Sequence, residues 1–321
     1  MSPTRLETVP EQPASGSPEA LVVVVGPTAS GKTALAVRLA EALGGEVVSA
    51  DSVQIYRRFD VGAGKPTPDE RRRAPHHLID ALEPLEPMDA ALFAERADRL
   101  IAEIRGRGRV PIVCGGTYLW VRALLFGLAR MPPADPATRE RHRAVVESEG
   151  RARLHERLSE VDPAAAARLA PNDFVRVSRA LEVYELTGTP QSEWHRRHGF
   201  AERRHAARLV GVRFRPEALL ARIEARARSM LDAGWVEEVE ALSAAGYREA
   251  RAMRSVGYRQ IAEALDEGAI EKERLLETIV RATKIFARRQ RTWLRDEDVL
   301  WLDPAEAESF DVRAKLGPLQ R

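Results

Sequence analysis

Short blocks of consecutive apolar residues alternate with amphipathic stretches along most of the chain. Leu21–Val25 is apolar throughout, as is Val110–Cys114 apart from character lent by Pro111. Such runs predict strands buried on both faces rather than strands with one wet side. Residues 46–50 and 209–214 have the same character, 76–80 is a shorter candidate, and Val299–Leu302 is a late one. Between the strands the period changes to that of a helix. Residues 34–43 are one case, closed by Gly44-Gly45. Another is the stretch that begins at Asp89, a natural N-cap, and runs to Arg105 with Leu92, Phe93, Ala97, Leu100, Ile101 and Ile104 on one stripe. Further helices are predicted from Pro216, broken or capped at Gly234, and over 271–295. Apolar strands alternating with helices argue an α/β fold, a parallel sheet with helices on both faces.

The rhythm changes at 131–136, where three prolines cluster. From 137 to 205 the chain is rich in Ala, Arg and Glu, with helical spacing and no strand signal. The expected organisation is a disordered tail over 1–20, a discontinuous α/β core over 21–136 and 206–321, and an all-helical insertion over 137–205. The tail carries Pro, Ser, Glu and Thr without an apolar centre, unlike a signal peptide. No apolar stretch approaches 18 residues, so no membrane span is expected.

Composition adds little until its distribution is considered. The chain has 321 residues, 31% of them charged, with a net charge of +2 that by itself announces no nucleic acid. Cys114 is the sole cysteine, which rules out an intrachain disulfide and suits a reducing compartment.

Candidate chemistry begins directly after the first strand. Gly26-Pro27-Thr28-Ala29-Ser30-Gly31-Lys32-Thr33 fits G-x-x-x-x-G-K-[ST], the phosphate-cradling P-loop, in its strand–loop–helix setting. Glycines let the backbone wrap an anion, the helix start adds N–H donors and a positive dipole end, and Lys32 adds a point charge. The Thr33 hydroxyl can hold Mg²⁺. In an open parallel sheet, ligands bind beyond the carboxyl ends of the strands. Asp51 ends the second strand there, and Gly115-Gly116-Thr117 ends a later one. Asp51 can bind Mg²⁺, accept a proton from an attacking group, or merely cap a turn. No acidic residue ends a later long apolar strand, as a nucleotide hydrolase would require, so the anion is expected to be a diphosphate that is not a hydrolysed nucleotide.

A second constellation is basic and aromatic. Residues 281–295 carry six basic side chains and no acid, with Phe286 and Trp293 among them. Arg251, Arg254 and Arg259 surround Ser255-Val256-Gly257-Tyr258. Arg139, Arg176 and Arg179 lie in the insertion. Clusters of this kind suit nucleic-acid phosphates with bases stacked on aromatic rings.

Taken together, these segments resemble the tRNA dimethylallyltransferases (tRNA isopentenyl transferases). The resemblance covers roughly 21–302. It rests on the P-loop, Asp51-Ser52 with Gln54-Ile55-Tyr56, Asp60-Val61-Gly62, the His76-His77-Leu78-Ile79-Asp80 and Gly115-Gly116-Thr117-Tyr118-Leu119 segments, Asn172-Asp173, residues 179–183, Val256-Gly257-Tyr258-Arg259, and Arg289-Gln290 with Thr292-Trp293. One departure is Gly64 before Lys65 in Gly62-Ala63-Gly64-Lys65-Pro66, where the family more often has Thr and Ala between the first Gly and the Lys.

The resemblance implies a P-loop NTPase-like core and transfer of a dimethylallyl group from its diphosphate to N6 of adenosine 37 of tRNA, with Mg²⁺ required. It implies that residues 28–33 hold the donor diphosphate, that Thr33 touches the metal, and that Asp51 is the base. Thr117 would stand at the reacting centre and Arg226 against the diphosphate. Implied tRNA contacts are Asp51, Ser52, Val53 and Gln54; Arg139; Val175, Arg176, Val177, Ser178 and Arg179; Arg254, Ser255, Val256, Gly257, Tyr258 and Arg259; and Arg288, Arg289, Gln290, Arg291, Thr292, Trp293, Leu294 and Arg295. A cytoplasmic monomer is the implied setting. Two rivals remain from the residues alone, a P-loop small-molecule kinase that uses ATP and an RNA-binding protein switched by nucleotide.

Overall fold

A computed structural model describes residues 20–200, 202–268 and 270–309, so all but the last residue of the expected 1–20 tail lies outside it. Contacts divide the chain into two compact units, one running to Leu125 and resuming at Arg204, the other Phe126–Arg203.

The larger unit carries six strands among the described residues. In chain order its elements are β1 (Leu21–Val25), α1 (Lys32–Leu43), β2 (Gly45–Ser49), α2 (Pro68–Arg73), β3 (His76–His77), α3 (Ala90–Gly106), β4 (Val110–Cys114) and α4 (Tyr118–Phe126). The smaller unit follows with α5 (Pro136–Glu149), α6 (Arg151–Val161), α7 (Pro163–Ala166), α8 (Phe174–Thr187) and α9 (Gln191–His198). The larger unit then resumes with β5 (Ala207–Val212), α10 (Pro216–Asp232), α11 (Trp235–Ala244), α12 (Tyr258–Asp266), α13 (Lys272–Trp293), β6 (Val299–Leu302) and α14 (Pro304–Ser309).

The sheet order is β3-β2-β4-β1-β5-β6, and every pairing is parallel. Alternate residues point to opposite faces. Val22, Val24, Val47, Ile112, Cys114 and Val210 pack with Leu35, Ala36, Leu39 and Ala40 of α1. On the other face Val23, Val25, Val48 and Val113 have no accessible surface either. Burial on both faces is why these strands contain almost no polar residue.

The strand expected over 76–80 pairs only at His76 and His77. Leu78 and Asp80 take left-handed backbone with φ of 59° and 55°, which ends the strand. Asp80 instead bonds the Lys65 ammonium and Arg71.

The smaller unit is helical throughout, around Leu154, Leu158, Ala165, Val177, Ala180 and Leu181. Its boundary falls at Phe126, ahead of the 136/137 seam expected from the prolines. The intervening loop is tied to α8: the Asp135 N–H donates to Glu182 (2.6 Å) and Arg179 donates to the Pro132 carbonyl (2.5 Å).

Candidate active site

Three neighbouring strands, β2, β4 and β1, deliver the candidate residues to one edge of the sheet. The P-loop leaves the carboxyl end of β1, Asp51 stands two residues beyond β2, and Gly115-Gly116-Thr117 leaves β4 between them. The turn and the β2 end are locked together. The Ala50 N–H donates to the Cys114 carbonyl (2.8 Å), and the Thr117 N–H donates to the Ala50 carbonyl (3.2 Å). A side chain on Gly115 would overlap that Ala50 carbonyl, so glycine is required by the closeness of the two backbones.

The P-loop enters α1 at Gly31, whose φ of 79° is left-handed, and no side chain caps the helix. The first N–H groups of a helix have no carbonyl partner within it, so the N-terminus of α1 is open to an anion. The Ser30 hydroxyl is buried in the loop with no protein hydrogen-bond partner. Lys32 turns its ammonium inward, donating to the Pro27 carbonyl at 2.8 Å. Desolvation lowers its pKa to about 8, with Arg226 adding to the fall and Cys114 and Asp51 opposing it. Burial pushes the neighbouring Cys114 thiol up to about 12.

Arg226, on α10, is lowered from its ordinary value by desolvation, against the raising field of Asp51. The residue as a whole is exposed, and its guanidinium end is crowded over Gly64, where a Cβ would overlap Nη2. Gly64 is left-handed as well, with φ of 55°. The left-handed backbone favours glycine here, and its small size also spares the Arg226 guanidinium. Lys32, Arg226 and Asp51 thus share one electrostatic neighbourhood, with cationic charge in excess.

Asp51 does cap a turn, its Oδ1 accepting from the Val53 (2.9 Å) and Gln54 (3.2 Å) N–H groups. That fixes the carboxylate rather than excluding chemistry, since Oδ2 keeps its lone pairs. The Thr117 hydroxyl accepts from the Ser52 N–H (3.0 Å) and lies 3.3 Å from the Ser52 hydroxyl. Gln54 donates from Nε2 to the Ala63 (3.3 Å) and Gly64 (3.1 Å) carbonyls.

Three side chains distant in sequence brace the loop: the Tyr118 hydroxyl accepts from Gly26 N–H, Gln290 Oε1 accepts from Thr28 N–H, and Arg222 Nε donates to the Ala29 carbonyl, each at 2.8 Å. Tyr118 entered the resemblance only as part of a segment, and nothing local in the sequence marked its bond to the loop or that of Arg222. The usable signal for Gln290 was a polar residue on the apolar stripe of α13.

Around the basic segments, burial separates the expected contacts into two groups. On α13 and just beyond it, Arg288, Arg289, Arg291, Thr292, Trp293 and Arg295 are exposed. Trp293 is 47% accessible and lies under the Arg122 guanidinium at 5.6 Å. Arg254 and Arg259 are exposed, and Ser255 and Val256 are half-buried. Among the other expected contacts, Gln290, Leu294, Gly257 and Tyr258 are buried. Tyr258 donates to Glu238 (2.5 Å), whose carboxylate also accepts the Asp60, Val61 and Gly62 N–H groups.

Within the helical unit Val175 and Arg176 are exposed. Val177 and Ser178 turn into the core, with Ser178 bonded to His142 (2.9 Å). Arg139 and Arg179 are partly accessible but clamp the fully buried Glu182. Burial alone would raise the Glu182 pKa, and bonds from both guanidiniums and from the Asp135 N–H hold it below the usual carboxylate range.

With this geometry in place, similarity to known proteins is informative. Residues 54–297 match the model of the IPP transferase family. A tRNA dimethylallyltransferase of Sorangium cellulosum (strain So ce56) is 62% identical over 94% of each chain. The crystal structure of a tRNA isopentenylpyrophosphate transferase from Bacillus halodurans superposes with a TM-score of 0.64 at 38% identity, covering 89% of this chain and 90% of that one. A eukaryotic dimethylallyltransferase captured acting on tRNA gives a TM-score of 0.72 at 25% identity, over 93% of this chain and 77% of its own. A chain with this sheet, this loop and relatives this similar over nearly its whole length belongs to the IPP transferase family, the tRNA dimethylallyltransferases.

Proposed function

We propose that this chain transfers the dimethylallyl group of dimethylallyl diphosphate to N6 of adenosine 37 in tRNA, 3′ of the anticodon, giving N6-dimethylallyladenosine. The observation that carries this reading is the electrostatic grouping of Lys32, Arg226 and Asp51 beside an uncapped helix N-terminus, in the unit that also bears the exposed Arg/Trp face of α13. Excess cationic charge suits a diphosphate, and a lone carboxylate suits an amine that must lose a proton. The Sorangium relative, a tRNA dimethylallyltransferase, and the eukaryotic dimethylallyltransferase that acts on tRNA support a prenyl donor and a tRNA acceptor.

In the proposed reaction N6 attacks C1 of the allyl group as the C1–O bond breaks. The bonding pair leaves with diphosphate, and the N6 proton passes to Asp51. The P-loop amides, Lys32 and Arg226 receive the charge that builds on the leaving group, the largest source of stabilisation in sites of this kind. Thr117 and Ser52 hold the segment carrying Asp51 in place. To reach the site the target base must leave its stack, at a cost of a few kcal/mol. Phosphate contacts from Arg288, Arg289, Arg291, Arg254 and Arg259, together with stacking on Trp293, offset that cost. Arg176 and the accessible edges of Arg139 and Arg179 would hold the stem.

Mg²⁺ fits the donor set. Among the described residues no group of three or more His, Cys, Asp or Glu forms an all-protein cage, and magnesium is commonly held by one or two protein oxygens with waters and substrate phosphates. Thr33 Oγ1 would hold it, Asp51 could supply a carboxylate, and the ion would supply charge neutralisation on the diphosphate. A monomeric state is part of the same reading. No helix among the described residues is long and apolar enough to cross a membrane.

Labelled dimethylallyl diphosphate incubated with the protein, Mg²⁺ and unmodified tRNA, followed by nucleoside analysis, should place the label in N6-dimethylallyladenosine. Label confined to free dimethylallyl alcohol or diphosphate would reject the reading. ATP turnover without RNA would favour the kinase.

A further inference from the structure

We infer that Gln290 is a positioning residue that sets the spacing between the donor cradle and the acceptor side of the site; this rests on the transferase reading above. Gln290 sits on α13 among exposed arginines, yet it is buried itself, with 4% of its surface accessible. Its two amide atoms point to different loops. Oε1 accepts the Thr28 N–H of the P-loop at 2.8 Å, and Nε2 donates to the Gly116 carbonyl at 2.9 Å. Gly116 precedes Thr117, whose hydroxyl is tied to Ser52, next to Asp51. One planar amide therefore bridges the loop that would hold the leaving group and the turn that holds the proton acceptor.

The bridge has no slack. A Cβ on Gly116 would stand 2.5 Å from Gln290 Nε2 and 3.8 Å from the Lys32 ammonium. One turn earlier on the same helix Ala287 packs against Ala29 of the P-loop, with Leu219 and Ile223 of α10. Apolar packing thus seats α13 against the loop, and the amide fixes where the loop lies relative to β4. A donor–acceptor pair is needed because it meets an N–H on one side and a C=O on the other; leaving either unpaired at a buried site is costly. A displacement of about 1 Å between reacting groups can reduce turnover on the order of 10²-fold. A residue with this role acts on kcat, while one that touches RNA acts on tRNA affinity.

Gln290→Met keeps length and flexibility without either polar function, and Gln290→Leu is a shorter apolar control. Kinetics of both, with KM for each substrate, direct tRNA binding and thermal midpoints, test the inference. The expected result is a fall in kcat of about 10- to 100-fold, with the tRNA dissociation constant within threefold of wild type and a folded protein. Unchanged kcat in Gln290→Met would overturn it. So would a loss of tRNA affinity or of fold as large as the loss of turnover, since that marks an RNA contact or simple packing. If the unmodified protein transfers no dimethylallyl group, the transferase reading fails instead, so the two failures are separable.

Discussion

Two clusters of basic side chains, one in each compact unit, are handled in opposite ways. In the helical unit arginines are satisfied from within: Arg139 and Arg179 close on Glu182, Arg176 pairs with Asp173, and Arg141 approaches Glu185 (3.5 Å) beside His142 (3.1 Å). In the P-loop unit Lys32 and Arg226 make no ion pair among the described residues and feel the field of one carboxylate, Asp51, and both are depressed by desolvation. Cationic charge held without acidic partners costs the free protein stability and is repaid when an anion arrives. The difference distinguishes arginines that build a module from cations held ready for a ligand, although all look alike in the sequence.

The largest expected effect breaks the acidic member of the ligand-facing group. Asp51→Ala should lower turnover by roughly 10²- to 10⁴-fold with tRNA binding little changed; a normal rate would remove Asp51 as the base. Next is the acid at the centre of the internally satisfied group. Glu182→Ala removes the acceptor of two guanidiniums and the Asp135 N–H and should destabilise by about 1–3 kcal/mol, read as early loss of helical signal or protection in residues 126–203. Thermal stability equal to wild type would mean that the clamp does not hold the unit together.

Lys32 sharpens the contrast through pH. Its folded pKa of about 8 lies below the ordinary 10.5, so between those values the unfolded chain binds the extra proton and stability rises with pH. Donor affinity should run the other way, falling by up to about tenfold per pH unit above 8 as the ammonium is lost. Lys32→Met should remove the stability increment and, with it, the share of the affinity loss due to this group. Slopes identical to wild type would reassign both. The smallest effects belong to exposed arginines: Arg288→Ala and Arg291→Ala should each reduce the salt slope of tRNA binding by about one, and an unchanged slope would reject their phosphate role.

Much of the donor side was legible because it is contiguous. An apolar strand, a glycine-bounded loop and a helix start lie within 23 residues from Leu21 to Leu43, and local chemistry dictates their conformation. Asp51 and Thr117 could be placed because strand ends share one edge of a parallel sheet. What could not be read was which distant side chains return to that edge. Tyr118, Arg222 and Gln290 contact the loop only through the packing of α4, α10 and α13. The strand order was equally silent, since β2 and β1 are joined in sequence but separated by β4 in the sheet. The burial of Val177 and Ser178 was partly readable. Val177 shares its helical stripe with Ala180 and Leu181, a period that favours core over contact. The Arg–Glu182 clamp had no such cue, because Arg139 and Glu182 are 43 residues apart.

Cys114 carries a practical consequence. With its side chain buried and its thiol pushed up to about 12 by that burial, Cys114 stays a thiol at pH 7. Toward maleimides the protein should behave as though it had no cysteine. A thiol introduced at exposed Leu186, 46% accessible on the helical unit, would then be the single attachment point for a fluorophore, and RNA arrival could be followed optically without first removing a native residue.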